Sequence, residues 1–416
     1  MSEEIVNEKN QLPRYFVFLG YAYLFIYYVR PQDNIPGLDA VPWVGVLFLL
    51  FTILSVLHIK REVFSTPLAL LFWLAILFAI SGIGAVSVVS YKMALKWIAQ
   101  VFPQCVGLYI IFRERHRFNK LLDFWCFIYF CMALVTLKNA PLGPGDFSGD
   151  PNDAALALSI GLPFAVYGYL DTNKSSRGRF ACFATVGLII AAIIATGSRG
   201  GFLGFLAVIL TIWWLSPSRA KIAGYAMVLG IFFGGLVLAW LPEKYLGEVA
   251  SIADKEDSTR IERLHTWEMG WLMFKDNPIV GAGAGNFKNT SHLYQEQTSW
   301  WTGQNKSLSG RAAHSLYFQV IPELGLVGIS IYAYIMFWMP LKLLALRKRL
   351  SKERGEEFQL RKACDILIAG MAGYATAGTF ISVAYYPHIT IWLFMYAIVM
   401  HLGRDIVVNP NALKMS

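Results

Sequence analysis

"AAIIATGSRGGFLGFLAVIL", residues 191–210, sets two strongly apolar runs on either side of Thr196-Gly197-Ser198-Arg199-Gly200-Gly201. Each flank is apolar on every face, so neither reads as a half-exposed helix or an alternating strand. A guanidinium stays charged at any accessible pH, and at the centre of a bilayer helix it costs about 2.5–3.5 kcal/mol on insertion scales. It is therefore expected at a turn where two apolar helices meet water. Gly197, Gly200 and Gly201 permit that turn to be very short.

The rest of the chain agrees with this reading. Of 416 residues, 56% are hydrophobic and 15% charged, against roughly 25% charged in a soluble domain. Apolar stretches near the length of a membrane span recur along the chain. Twelve candidate spans are read at about 15–30, 41–59, 67–87, 94–112, 121–137, 153–170, 179–196, 200–216, 222–241, 314–345, 363–384 and 388–403. The expected fold is thus an all-α polytopic integral membrane protein. Transmembrane helices 1–9 fall in 1–241, a large loop containing short helices in 242–312, and helices 10–12 in 313–416. The start, "MSEEIVNEKNQLPR", is acidic and lacks the basic region and apolar core of a cleaved signal peptide. The five cysteines lie in apolar runs without metal-ligand spacing, and read as small core residues.

Lys and Arg set the sidedness. They concentrate in alternate segments, including Lys60 and Arg61, Arg113 to Lys120, Lys174 to Arg179, and the cluster "LKLLALRKRLSKERGEEFQLRK". The intervening short loops hold few, among them Arg30, Lys138 and Arg199. Both termini are therefore expected in the cytoplasm. The same asymmetry accounts for the net charge of +9 without nucleic acid. Arg199, the 242–312 loop and His314 then share the outer face.

Arg199 reads either as a snorkelling interfacial cation or as an anion ligand. The loop segment "DSTRIERLHTWEMGWLMFKDNPIVGAGAGNF", 257–287, carries Arg260 and Arg263 ahead of Trp267, Trp271 and Phe274 at helical spacing, which fits a surface helix. Its "GAGAG", 281–285, lacks the spacing of a dinucleotide fingerprint and reads as a flexible turn. Trp300 and Trp301 fit an interfacial belt or a sugar platform. In "RAAHSLYFQVIPELGLVGISIYAYI", 311–335, His314 stands at the mouth of a span, either as an interfacial histidine or as a proton carrier. Glu323 is an intramembrane carboxylate that needs a partner or a function, and Pro322 loosens the helix beside it. Asp150-Pro151-Asn152-Asp153, in "GPGDFSGDPNDAALALSIG", reads as a helix cap, with a divalent metal site as the alternative.

These segments together resemble the O-antigen ligase and O-antigen polymerase superfamily of bacterial membrane glycan transferases. "ATGSRGGFLG" is similar to its T-x-S-R-G-x-x-x-G element. "RLHTWEMGWLMFKDNPIVGAGAGNF" is similar to its R-x-x-x-W…D-x-P-x-x-G-x-G-x-x-x-F pattern. "AHSLYFQVIPELGLVGI" is similar to its A-H-N-x-x-L signature, with Ser315 where Asn is usual and Phe318 where Leu is usual. The likeness runs from about 191 to 330, with only span number and the "GDPND" entrance matching before it.

The resemblance implies a bacterial inner-membrane enzyme whose large loop is periplasmic. It implies an undecaprenyl-pyrophosphate-linked glycan as donor, Arg199 and Arg263 on the pyrophosphate, and His314 as base toward the acceptor hydroxyl. Arg260, Arg311, Trp300, Trp301 and Tyr317 are further candidates for contact with pyrophosphate or sugars. No cofactor and no metal are expected, and the surrounding partner is membrane lipid. Lipid A–core is the favoured acceptor, which makes the chain a ligase. A second glycan (polymerase) or a protein hydroxyl (O-oligosaccharyltransferase) is the alternative within the superfamily. From other classes come a lipid-linked glycan transporter and a non-catalytic scaffold. No internal repeat of the transporter kind is evident.

Overall fold

A computed structural model of the chain describes residues 12–40, 42–217, 219–220, 224, 258–303, 306–351 and 355–408. The described residues are helical and contain no strand. The longer helices are α1 (Arg14–Val29), α2 (Trp43–Leu57), α3 (Ala69–Ser81), α4 (Val89–Phe112), α5 (Arg115–Asn139), α6 (Pro151–Leu170), α7 (Ser176–Thr196), α8 (Arg199–Leu215), α9 (Ser258–Asp276), α10 (Tyr317–Arg349), α11 (Glu356–Ala377) and α12 (Pro387–Val408). Five of them (α4, α5, α6, α7 and α10) are long and apolar enough to cross a membrane, and α1, α2, α3 and α8 are shorter apolar helices. Apart from residue 224, the span read at 222–241 and the loop up to residue 257 lie outside the described residues.

α6 is the centre of the bundle. It packs against α5, α7, α8 and α11, and most of its residues are buried. Its sequence, rich in Ala and Gly, allows that many neighbours, because small side chains let helix backbones approach closely. A Cβ on Gly201 of α8 would sit 2.2 Å from that of Ala155 on α6. α8 is likewise pressed on α11, where Gly204 lies against Ala377.

Several helix boundaries differ from the apolar runs. α10 starts at Tyr317 rather than 314 and extends to Arg349. α11 begins at Glu356, seven residues before the apolar run that announced it. Its first three turns carry Arg361, Lys362 and Asp365, all nearly buried. Lys362 Nζ lies 2.8 Å from Asp171 Oδ2, Arg347 pairs with Asp365, and Gln359 also donates to Asp171. Hydropathy scores each of these charges as a break, whereas the folded chain pairs Lys362 and Asp365 with opposite charges and gives Arg361 the backbone carbonyls of Arg347 and Leu350. α3 is shorter than its apolar run and α4 longer, starting at Val89 within what read as a loop.

The paired charges join the end of α6 (Asp171), the end of α8 (Leu215 carbonyl, bound by Arg347), the end of α10 and the start of α11. The opposite end of the bundle gathers the starts of α6, α8 and α10 with the end of α11, where Leu316 N donates to the Gly378 carbonyl at 2.7 Å. Asp150, Arg199 and His314 are at that second end.

Candidate functional site

The Arg199 turn is built by capping. Gly197 takes φ of +66° and closes α7. Ser198 caps α8, its Oγ accepting from Gly201 N at 3.0 Å and donating to Asn152 Oδ1 at 2.7 Å. Asn152 belongs to the cap of α6, where Asp150 Oδ1 accepts from the Asn152 backbone N–H at 2.8 Å and from its side chain at 3.0 Å. Asp150 therefore caps the helix, one of the two roles its sequence allowed. The first turns of α6 and α8 are tied side by side, and Arg199 emerges exposed beside them.

On the far side, α9 carries Arg263 and, one helical turn on, Trp267. The Trp267 indole lies flat on Phe318, with centroids 4.9 Å apart and planes at 4°. Its Nε1–H donates to the Ala313 carbonyl at 2.9 Å. The next residue, His314, has φ of +48°, a left-handed conformation uncommon outside glycine. Partial burial and the positive charge of Arg263 push the His314 pKa down; Glu262 and Asp150 oppose this, and Arg311 adds a smaller push downward. His314 is thus within electrostatic reach of α9, of the α6 cap and of its own approach segment, while its residue remains open to solvent.

The other sequence candidates are placed less centrally. Arg311 forms an ion pair with Glu262 at 2.9 Å, and Arg260 is exposed on the same helix as Arg263. Trp300 is 36% exposed and Trp301 half-buried, on a segment pinned to α9 where Glu268 accepts from Ser299 N and Oγ. Tyr317 turns its hydroxyl to the Ala375 carbonyl at 2.9 Å, a contact with α11. Asp153 is buried and accepts from the Tyr386 hydroxyl at 3.0 Å. Ser315, also buried, accepts from Phe318 N at 3.4 Å at the start of α10. Among the described residues, no group of three or more His, Cys, Asp or Glu is arranged to hold a metal ion.

The glycine-rich stretch 281–285 is a turn, but a pinned one rather than a flexible one. Gly281, Gly283 and Gly285 all have positive φ. Ala282 N and Gly283 N donate to the carbonyls of Pro322 and Glu323, and Leu326 N and Val327 N donate to those of Pro278 and Ile279. α10 is broken at Gly325 (φ 60°, ψ −158°), which frees these groups for the exchange. Glu323 completes it. Its carboxylate accepts from Gly285 N at 2.9 Å, Phe287 N at 2.8 Å and the Tyr385 hydroxyl at 2.6 Å. The intramembrane carboxylate is therefore a clamp between the loop and the helix, surrounded by donors.

Sequence reasoning missed the connection 378–386 between α11 and α12. Gly378 holds Leu316, Phe380 covers Gly200 next to Arg199, Ala384 N reaches Gln319, Tyr385 reaches Glu323 and Tyr386 reaches Asp153. One short segment braces the Arg199 turn and the His314 turn together. Its signal is faint, since "GTFISVAYYP" has only hydroxyl side chains and no charge to mark it amid apolar sequence.

Comparison with known proteins agrees with the motifs. Residues 154–333 match the Wzy_C family, described as O-antigen ligase. The chain is also 26% identical over 271 residues to the exopolysaccharide production protein ExoQ of Rhizobium meliloti (strain 1021). That alignment covers 54% of this chain and 59% of that protein, so the chain spans less than two thirds of its relative's length. The resemblance to the O-antigen ligase and polymerase superfamily, read first from Arg199, the R-x-x-x-W segment and the His314 signature, is borne out.

Proposed function

We propose that the protein is an inverting glycan transferase. It takes a glycan from undecaprenyl pyrophosphate and passes it to an acceptor hydroxyl at the periplasmic face of the inner membrane. The observation that carries the reading is the convergence of two helix-borne arginines and one histidine at a single end of the bundle. Arg199 stands at the capped start of α8, and Arg263 lies within electrostatic reach of His314.

The chemistry follows from the groups. The donor is a diphosphate diester, and planar guanidiniums bind its oxygens through paired hydrogen bonds without losing charge. As the sugar C1–O bond breaks, its electron pair goes to the departing undecaprenyl pyrophosphate. Fixed cations stabilise that growing charge more than they stabilise the bound donor. The acceptor oxygen forms the new bond to C1 from the opposite side, and its proton passes to a neutral His314. The pKa of His314, held below the usual histidine value, keeps the imidazole in the form that can accept. Two guanidiniums meet the charge of the diphosphate, so the transfer is assigned no metal.

The favoured acceptor is lipid A–core. The likeness to an exopolysaccharide production protein supports polymerisation onto another lipid-linked glycan as the second reading. Reconstitution with a defined undecaprenyl-pyrophosphate glycan, offered both acceptors with and without EDTA, tests the whole proposal. Arg199→Ala, Arg263→Ala and His314→Ala should each lower turnover by about 100-fold or more, with the protein still folded. EDTA should leave the rate unchanged. Full activity in all three variants would overturn the assignment.

A further inference from the structure

We infer that Trp267 is a positioning residue for His314, acting through the Ala313 carbonyl. The inference rests on the proposed role of His314 and adds a residue to which no role has been assigned. His314 is one of three non-glycine residues with positive φ among the described residues, and a left-handed histidine costs on the order of 1 kcal/mol or more unless its surroundings impose it. The surroundings here are specific. The peptide bond that leads into His314 carries the Ala313 carbonyl, and that carbonyl is fixed by the Trp267 Nε1–H at 2.9 Å. Leu316, two residues after His314, is fixed on the other side by the Gly378 carbonyl at 2.7 Å. The turn is therefore held from α9 and from the end of α11, with His314 between the two anchors.

The ring that makes the first anchor is itself immobilised. It lies parallel on Phe318, in the first turn of α10, and Phe318 in turn packs on the small core of Met273, Ala282, Phe287 and Ala313. Trp267 and Arg263 are four residues apart on α9, so they share a face and move as a unit. One indole thus fixes both the imidazole's backbone and its distance from Arg263. This gives the R-x-x-x-W spacing a mechanical reason: the arginine addresses the leaving group, and the tryptophan sets the base beside it.

Two variants separate positioning from folding. Trp267→Phe keeps an aromatic ring for Phe318 and removes the N–H. Replacing the indole by benzothiophene keeps the shape and removes only the N–H. Both should lower kcat by about 10- to 100-fold, the scale of a misplacement near 1 Å, while the KM for the lipid-linked donor changes little. The acid limb of kcat/KM should also move up toward the ordinary histidine value. It does so because His314 leaves its place beside Arg263, Glu262, Asp150 and Arg311. A merely structural indole would lower the yield of folded protein and leave both the KM-against-kcat split and the limb in place. If Trp267→Phe fails to fold, the benzothiophene variant decides. Wild-type kcat and an unmoved acid limb in a folded variant would overturn the inference. Retained transfer by His314→Ala would instead strike the assignment of the base, so the two failures are distinguishable.

Discussion

At the scale of single residues, the site is a set of charges whose values are adjusted by neighbours. His314 is pushed below the ordinary histidine pKa by partial burial and by Arg263. A base must be neutral to act, so the working fraction is present above the folded pKa and lost as pH falls through it. In the free enzyme the acid limb of kcat/KM should therefore lie below 6.5, the ordinary value for histidine. A bound diphosphate places negative charge near the ring and favours imidazolium, so the limb of kcat should lie higher than that of kcat/KM. Steady-state profiles from pH 5 to 8 measure both; identical limbs would remove the diphosphate from the neighbourhood of His314. Arg199 stands out in the sequence as a charge in an apolar, glycine-rich setting, whereas Arg263 and His314 are picked out by the R-x-x-x-W and A-H segments they belong to; the roles of all three are proposed. The role of Glu323 was not legible there. Its three donors come from Gly285, Phe287 and Tyr385, 36 to 62 residues away in sequence, and a carboxylate with hidden donors looks the same on paper as one awaiting a substrate. Glu323→Ala leaves the buried Phe287 N–H and the part-buried Gly285 N–H without an acceptor and should lower stability by about 2–4 kcal/mol. Glu323→Gln, which still accepts, should cost less; thermal melts in detergent read the order.

At the scale of elements, packing distance is what holds Arg199 in place. The start of α8 is pressed on α6, and the missing side chain of Gly201 is what permits it. Gly201→Val should overpack this contact by about 1–3 kcal/mol. It should also tilt α8 away from the α6 cap, lengthening the Ser198–Asn152 hydrogen bond. The expected result is a lowered melting temperature together with a raised KM for the donor, since the displaced group is the proposed anion ligand. Unchanged donor KM with a lowered melting temperature would show that Arg199 does not depend on the α6–α8 contact. Gly197 and Gly201 could be read as turn formers, but not that one of them faces Ala155, because the partner is a methyl group among many. Helix existence was legible for the same reason that partner choice was not: an apolar run announces burial and leaves open which helix supplies it.

At the scale of the whole molecule, the proposed chemistry and the buried ion pairs occupy opposite ends. The arginines and the histidine stand where α6, α8 and α10 begin, while Asp171, Arg347, Lys362 and Asp365 knit the other end. Alternating basic loops announced two ends, because each short loop reports its own side. The start of α11 was misjudged because charge counting treats Lys362 as a solvated residue, when it is nearly as buried as its partner Asp171. A lone buried charge is expensive, whereas a pair removed together can be nearly neutral. Lys362→Met should therefore destabilise the protein by about 3–5 kcal/mol by leaving Asp171 unpaired. Adding Asp171→Asn should restore much of the loss. Because the pair lies a full helix length from Arg199, turnover per folded molecule should be the same in the single variant, the double variant and the parent. Melting in detergent together with single-turnover transfer checks both halves. A double variant as unstable as the single one would mean that the pair matters for its packing rather than its charge. A kcat that followed the melting temperature would mean that the two ends are mechanically coupled through α6 and α8.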